Sequence, residues 1–176
     1  KRVSAAIMMN MTNSEKINYI CKFLEDNGIG YSKLEHSAVS SIEECRKIEK
    51  DIGGEICKNL LLRNTPGTVY YLLSMKGDKP FVTKDVSKKL GSSRLSFVSA
   101  DEMKSLTDTS PGSLGIMSLL FDKDKKIRFA VDRDLLENRF FCCHAGINVC
   151  TLRLKTSDVF EKLLPLLGVE VDVIDI

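Results

Sequence analysis

ICKNLLLRNTPGTVYYLLSM, residues 56–75, holds two apolar runs of strand length on either side of Asn64-Thr65-Pro66-Gly67. Proline and glycine between two such runs predict strands joined by a turn. What flanks this pair decides the kind of sheet it enters. Upstream, Thr12 with Glu15 is a capping box, and Ile17, Ile20, Cys21 and Leu24 follow on one helical face before Asn27-Gly28 ends the helix. An extended piece at 31–34 leads to a second capping box, Ser41 with Glu44, opening a helix to about Lys50 that Gly53-Gly54 terminates. Downstream, Thr83 starts a short polar helix through Lys89, and Ser99 with Glu102 makes a third capping box. The runs GIMSLLF and KIRFAV flank DKDKK, which predicts an exposed hairpin turn. Strands follow around RFFCCH and INVCTLRL, then a helix in which Val159, Phe160, Leu163, Leu164 and Leu167 share a face and Pro165 should bend or break the end. Helices sit at both ends and between clusters of strands, without alternating with single strands. That order predicts a single α+β domain, a mixed β-sheet or small barrel flanked by helices.

At 176 residues the chain can bury one real core. With 26 lysines and arginines against 24 acids, it has no broad basic field, which excludes wholesale binding of duplex DNA. A small pocket for one nucleic-acid end stays compatible with that balance, with Lys84, Lys88, Lys89 and Arg94 as candidates for a local basic surface. No run approaches the roughly 18 apolar residues of a membrane helix. The opening KRVSAAIMM is too short in its apolar part for a secretory signal, so residues 1–11 are read as an extension or tag remnant and 12–176 as the domain. Six scattered cysteines, mostly in apolar stretches, suggest reduced thiols and a cytoplasmic protein.

Three of those cysteines crowd around a histidine in CCHAGINVC, residues 142–150. Zinc sites use cysteine pairs two to four residues apart, and no such pair exists here. Adjacent strand residues point to opposite faces, so one face offers only Cys142 and His144. Cys150, two residues after Asn148 in a strand, would share its face. Buried thiols that pack as small apolar groups are the plain reading, and a Cys142–His144 nucleophile pair is the rival.

Four stretches, EHSAVSSIEEC at 35–45, CKNLLLRN at 57–64, SPGSLGIMSLLFD at 110–122, and CHAGIN continuing into LRLKTSDVFEKLLP, resemble in order and spacing the YbaK and ProX type of aminoacyl-tRNA deacylase. The likeness runs from about Ser14 to Pro165 and implies an α+β hydrolase that uses neither metal nor other cofactor. It places the family's essential lysine on Lys58 followed by Asn59, its glycine loop on Pro111-Gly112-Ser113, and its histidine-to-asparagine motif on His144 and Asn148. Glu35 and His36 match the pair before the second helix. By this resemblance Lys58, Gly112 and His144 are catalytic, and His36, Asn59, Ser113 and Asn148 bind substrate. Ser37, Ala145 and Ile116 stand where many members have proline, next to the pocket, which bears on the amino acid preferred more than on the reaction.

Those roles suit the chemistry. Ester hydrolysis builds negative charge on the carbonyl oxygen, which a fixed cation and backbone amides stabilise. Lys58 and the Gly112-Ser113 amides are placed to do so in this reading, glycine allowing close backbone approach. The implied substrate is alanyl-tRNA(Pro), since a synthetase pocket made for proline excludes smaller amino acids only weakly. Cysteinyl-tRNA(Pro), or a noncatalytic module binding a tRNA end or a synthetase, are the alternatives. The implied partner is the acceptor end of aminoacyl-tRNA, with prolyl-tRNA synthetase as a second partner left open.

Overall fold

The computed structural model describes residues 11–39 and 42–176. Residues 1–10, and the Ser41 of the second capping box, lie outside the described residues. The elements run α1 (Asn13–Asp26), β1 (Tyr31–Glu35), α2 (Ile42–Ile52), β2 (Lys58–Asn64), β3 (Tyr70–Met75), α3 (Thr83–Lys89), β4 (Leu95–Phe97) and α4 (Ala100–Thr107). After a 3₁₀ helix at Ile116–Phe121 come β5 (Ile127–Asp132), a 3₁₀ turn at Arg133–Glu137, β6 (Phe140–His144), β7 (Cys150–Lys155), a continuous helix α5 over 156–167, and β8 (Val171–Ile174). The α+β expectation holds, and the strands make two sheets. One has the order β1-β7-β6 and is antiparallel; the other is mixed, in the order β4-β2-β3-β5-β8.

The 56–75 stretch forms the antiparallel pair β2–β3, in register from Lys58–Met75 to Arg63–Tyr70. Asn64 closes the turn by accepting the Thr68 and Val69 amides on its side-chain oxygen, and Gly67 takes φ 68°. Strand alternation sends Cys57 and Leu61 into one apolar cluster, with α1, β7 and α5, and Leu62 into a second cluster with Val86 of α3 and Leu95. Lys58 therefore shares the face of Leu60 and Leu62, and Asn59 the opposite one.

The capping box of α1 is complete: the Thr12 hydroxyl accepts the Glu15 amide, and the Glu15 carboxylate accepts the Thr12 amide at 2.8 Å. At α4 only half of the expected box forms. Ser99 accepts the Glu102 amide, but the Glu102 carboxylate instead accepts the Tyr70 hydroxyl at 2.8 Å and pairs with Arg63.

Three expectations are corrected. GIMSLLF is a 3₁₀ helix, so DKDKK does not close a hairpin; Asp122 accepts the Lys126 and Ile127 amides, and the chain enters β5 parallel to β3. Ile116, Met117 and Leu119 are fully buried on several sides at once, which removes the one-sided periodicity that would have marked the coil. Pro165 does not break α5, because a π turn at Val159–Leu163 loosens the helix ahead of it, and the helix runs on to Gly168 at φ 63°. Finally, the chain ends not on a helix but on β8, which pairs parallel with β5; the alternation of valine with acidic residues after Gly168 is a local strand signal that the expectation of a helical end misses.

Candidate active site

The two sheets meet where the lead-in to β2 runs beside the free edge of β6. Ile56 bridges Cys142 in parallel, and the Cys57 amide donates to the Cys142 carbonyl at 3.1 Å. Two residues further along the same directions stand Lys58 and His144, on the faces of Ile56 and Cys142 respectively. Segments far apart in sequence are thereby set side by side. Lys58 is half-buried, and its ammonium donates to the Lys79 carbonyl at 3.5 Å. Lys79 is itself held between Asp132 and Asp134, each at 2.8 Å.

The loop before the 3₁₀ helix reaches the same place. A Cβ on Gly115 would lie 3.0 Å from the His144 carbonyl oxygen and 3.4 Å from Cys143 Cβ, so this glycine is where the loop touches β6. Gly112, the glycine expected to make a close approach, stands in open space: a Cβ there would meet nothing within 4 Å, and its requirement is the φ of 84°. Ser113 is half-buried and its amide donates to the Ser110 carbonyl. At the loop's base Asp108, at φ 51°, pairs with the buried Lys16 at 2.9 Å and with Lys104 at 2.5 Å. Burial opposes ionisation of Asp108, but the hydrogen bonds from Lys104 and Lys16 prevail and hold its carboxyl below the ordinary range. A Cβ on Gly146 would sit 3.2 Å from the Lys16 side chain, so the ion pair also braces the β6–β7 turn.

In that turn Asn148 is half-buried. It is outside the strands, so it does not share a strand face with Cys150 as alternation predicts. Asn59 is likewise not brought to Lys58's face; its amide nitrogen donates to the Cys57 carbonyl and its oxygen accepts the Ser74 hydroxyl at 2.6 Å.

His36 does reach His144, their rings 6.2 Å apart. Between them lies the hydroxyl of Thr151, fully buried, 2.9 Å from His36 Nε2 and 3.4 Å from His144 Nδ1. The proton count along this chain is constrained. His36 Nδ1 lies 2.8 Å from the Ser37 carbonyl, which only accepts, so Nδ1 carries a proton. With His36 neutral, its Nε2 accepts from Thr151, the Thr151 oxygen accepts from His144 Nδ1–H, and the lone pair of His144 falls on Nε2. Burial first, and the neighbouring His36 second, push the His144 imidazole down to about 4, outweighing a hydrogen bond to the Cys150 backbone; at neutral pH the ring is uncharged.

The cysteines around this histidine are poor nucleophiles. Cys142, Cys143 and Cys150 are fully buried; burial pushes the Cys142 thiol up to about 11 and Cys150 up to about 12, and raises Cys143 further. Among the described residues no group of three histidine, cysteine or acidic side chains is disposed to hold a metal ion. A cavity of about 370 Å³ between α4 and the 121–126 turn is lined by residues such as Lys104, Asp122 and Lys126; it touches the loop's base at Asp108 but none of Lys58, His36, Gly112, Ser113, His144 or Asn148.

Thr151, Gly115, Lys16 and Asp108 touch the candidate residues or brace the segments that carry them, and sequence reasoning missed all four. A signal for Thr151 existed, since the six residues between it and His144 turn the chain back so that the two face each other across β6–β7; the others depend on contacts between distant segments.

A family model described as an aminoacyl-tRNA editing domain matches residues 36–162. The chain is similar to the prolyl-tRNA editing protein ProX of Acetoanaerobium sticklandii, with 30% identity over 141 residues covering 80% of this chain and 85% of that protein. It is also similar to prolyl-tRNA synthetase associated domain-containing protein 1 of Danio rerio, with 23% identity over 144 residues covering 81% and 78% of the two. A solved structure described as a candidate trans-editing enzyme for prolyl tRNA synthetase shares the fold at a TM-score of 0.68 and 19% identity, over 95% of this chain and 99% of that one. The match across most of the chain shows that it belongs to the aminoacyl-tRNA editing domain family and is an aminoacyl-tRNA deacylase, a hydrolase.

Proposed function

We propose that this deacylase acts in trans on the acceptor end of mischarged proline tRNA, with alanyl-tRNA(Pro) as its substrate, and that Lys58, His144 and the loop at 111–115 are the working parts. The observation that supports the reading is the parallel bridge Ile56–Cys142, which joins the segments that carry Lys58 and His144 near the point where Gly115 touches β6. In the reaction a water oxygen adds to the ester carbonyl, the carbon–oxygen bond to the ribose breaks, and a proton passes to the departing ribose oxygen. Lys58 faces the charge that develops on the carbonyl oxygen, aided by amides of the Gly112-Ser113 turn. His144, uncharged, offers Nε2 as an acceptor to the water or to the neighbouring ribose hydroxyl, and His36 acts on it through Thr151. Asn148, in the turn beyond His144, holds the terminal nucleotide. Asn59 serves instead as a strut between β2 and β3.

The test is single-turnover hydrolysis of alanyl-tRNA(Pro) beside prolyl- and cysteinyl-tRNA(Pro). Lys58→Ala should slow the alanyl reaction by about two to three orders of magnitude, the scale for losing one group that stabilises the transition state. Lys58→Arg should not restore it, because a planar guanidinium does not occupy the place of a compact ammonium. Near-normal hydrolysis by a folded Lys58→Ala protein removes the lysine from the mechanism; preference for another aminoacyl group removes alanine from the assignment.

A further inference from the structure

From Lys58 the face of β2 leads to an exposed aromatic pair. Lys58, Leu60 and Leu62 alternate onto this face, and Leu62 is the cross-strand partner of Phe97 on the edge strand β4. Phe97 is 57% exposed, and its ring lies 5.4 Å from that of Phe81, tilted by 59°. Phe81 is half-buried against the second cluster and follows by two residues the Lys79 carbonyl that Lys58 touches. Leu62 itself is fully buried beneath α3, so the tie between site and aromatic pair is the 79–81 segment, which carries both the carbonyl that Lys58 touches and the Phe81 ring; Lys58 and Leu62 are roughly 13 Å apart along β2, four residues at about 3.3 Å each.

Charge gathers at the same place. Residues 76–94 contain six lysines and arginines against two aspartates, a local excess of four in a chain whose overall excess is two. Lys79 is neutralised by Asp132 and Asp134, but Lys84 and Lys88 of α3 and Arg94 before β4 are exposed on the chain between Phe81 and Phe97, as is Lys89, which donates to the Asp175 carbonyl. An exposed aromatic beside solvent-facing cations, leading into a site for an ester on a nucleic-acid end, has the composition of a surface for unpaired nucleotides: rings stack on bases and cations follow the phosphates.

We propose that Phe97 and Phe81 form a stacking platform for the unpaired 3′ nucleotides of the tRNA, with Lys84, Lys88 and Arg94 on the phosphates, so that the strand passes over the 79–81 segment and delivers its aminoacyl ester to Lys58. The platform rests on the deacylase reading for its direction, but its binding can be measured without any hydrolysis.

The experiment uses two labelled RNA hairpins, one ending in an unpaired 3′ ACCA and one blunt, titrated by fluorescence anisotropy against the full chain. The wild-type protein should prefer the overhang. Phe97→Ala should weaken overhang binding by about tenfold, as expected for one lost base-stacking contact, and leave the blunt hairpin unchanged. Phe97→Trp should retain the preference. Phe97→Leu keeps an apolar side chain against Phe81 without an aromatic face, and should bind like Phe97→Ala. Lys84→Ala with Lys88→Ala should weaken both hairpins and lower the salt dependence by about two phosphate contacts. In single-turnover hydrolysis, Phe97→Ala should raise the half-saturating concentration and spare the limiting rate. Equal binding of overhang and blunt hairpins by the wild type, or undiminished overhang binding by Phe97→Ala or Phe97→Leu, overturns the platform. Overhang preference without hydrolysis would sink the substrate assignment while upholding the platform.

Discussion

Gly115 and Gly112 lie three residues apart in one loop, and the structure gives them different reasons for being glycine. Gly115 has φ −163° and ψ 175°, extended backbone open to any residue, so alanine there meets no conformational penalty. The cost is contact: the new Cβ would lie 3.0 Å from the His144 carbonyl oxygen and 3.4 Å from both the His144 amide nitrogen and Cys143 Cβ. Two of these three atoms are backbone of a paired strand and cannot swing aside, so the loop has to back away by a few tenths of an ångström. Overpacking of this kind costs about 1–3 kcal/mol. For a chain of this length each kcal/mol moves the melting temperature by about 2–4 °C, giving a fall of roughly 2–12 °C for Gly115→Ala. Because the loop would move away from His144, single-turnover hydrolysis should fall by about 10- to 100-fold, the consequence of misplacing a positioning group by up to an ångström. Gly112→Ala makes the contrast. It has open space but a φ of 84°, so it should lose about 1–2 kcal/mol to the left-handed backbone without pushing on His144. A Gly115→Ala protein that melts within about 1 °C of wild type and hydrolyses at its rate would refute the contact as the reason for glycine there.

Thr151→Val removes the hydroxyl between the two imidazoles and should cost about 1–3 kcal/mol in a urea titration, the penalty for stranding a buried acceptor. Nitrogen NMR of the histidine rings above the ordinary histidine range should find the proton of His144 on Nδ1 in wild type and in Thr151→Ser, and lose that fixed preference in Thr151→Val; a proton on Nε2 in the wild type would contradict the chain of donors. His144 contributes to stability through its lowered pKa, about 4 folded against an ordinary 6.5, so the unfolded chain binds the extra proton between these values. Stability from this ring is complete above about pH 6.5 and is lost as pH falls toward 4, by up to about 3 kcal/mol; the slope of denaturant midpoints over this window should flatten in His144→Asn. Cys142→Ala should hydrolyse as wild type does once a thermal melt shows it folded, since the thiol is buried and held protonated; abolished turnover would return Cys142 to the mechanism.

Much of the architecture is written locally. The Thr12–Glu15 cap with its apolar stripe, the strands on either side of Asn64-Thr65-Pro66-Gly67, and the stops at Gly53 and Gly91 all act over a few residues, where capping and periodicity are felt directly. So does the negative reading of CCHAGINVC: spacing alone tells against a zinc site, and alternation alone pairs Cys142 with His144 on one face. Residue types also name the candidates Lys58 and His144 through the family motifs. The sequence could not bring the segments that carry those two together, because that needs one parallel bridge between residues 86 apart, Ile56 and Cys142, and a single bridge leaves no periodic trace. For the same reason the partner of β8 is not legible although its valine and acid alternation is, and the 116–121 coil resembles a strand: parallel partners come from distant crossovers, and a segment buried on all sides loses its one-faced pattern. Asn59 shows the converse, a motif residue whose neighbour in sequence is on the other side of the sheet. Which glycine approaches β6, which threonine joins the histidines, and which lysine is buried to hold Asp108 were decided by packing, since each depends on distances between backbones that only the folded chain brings together.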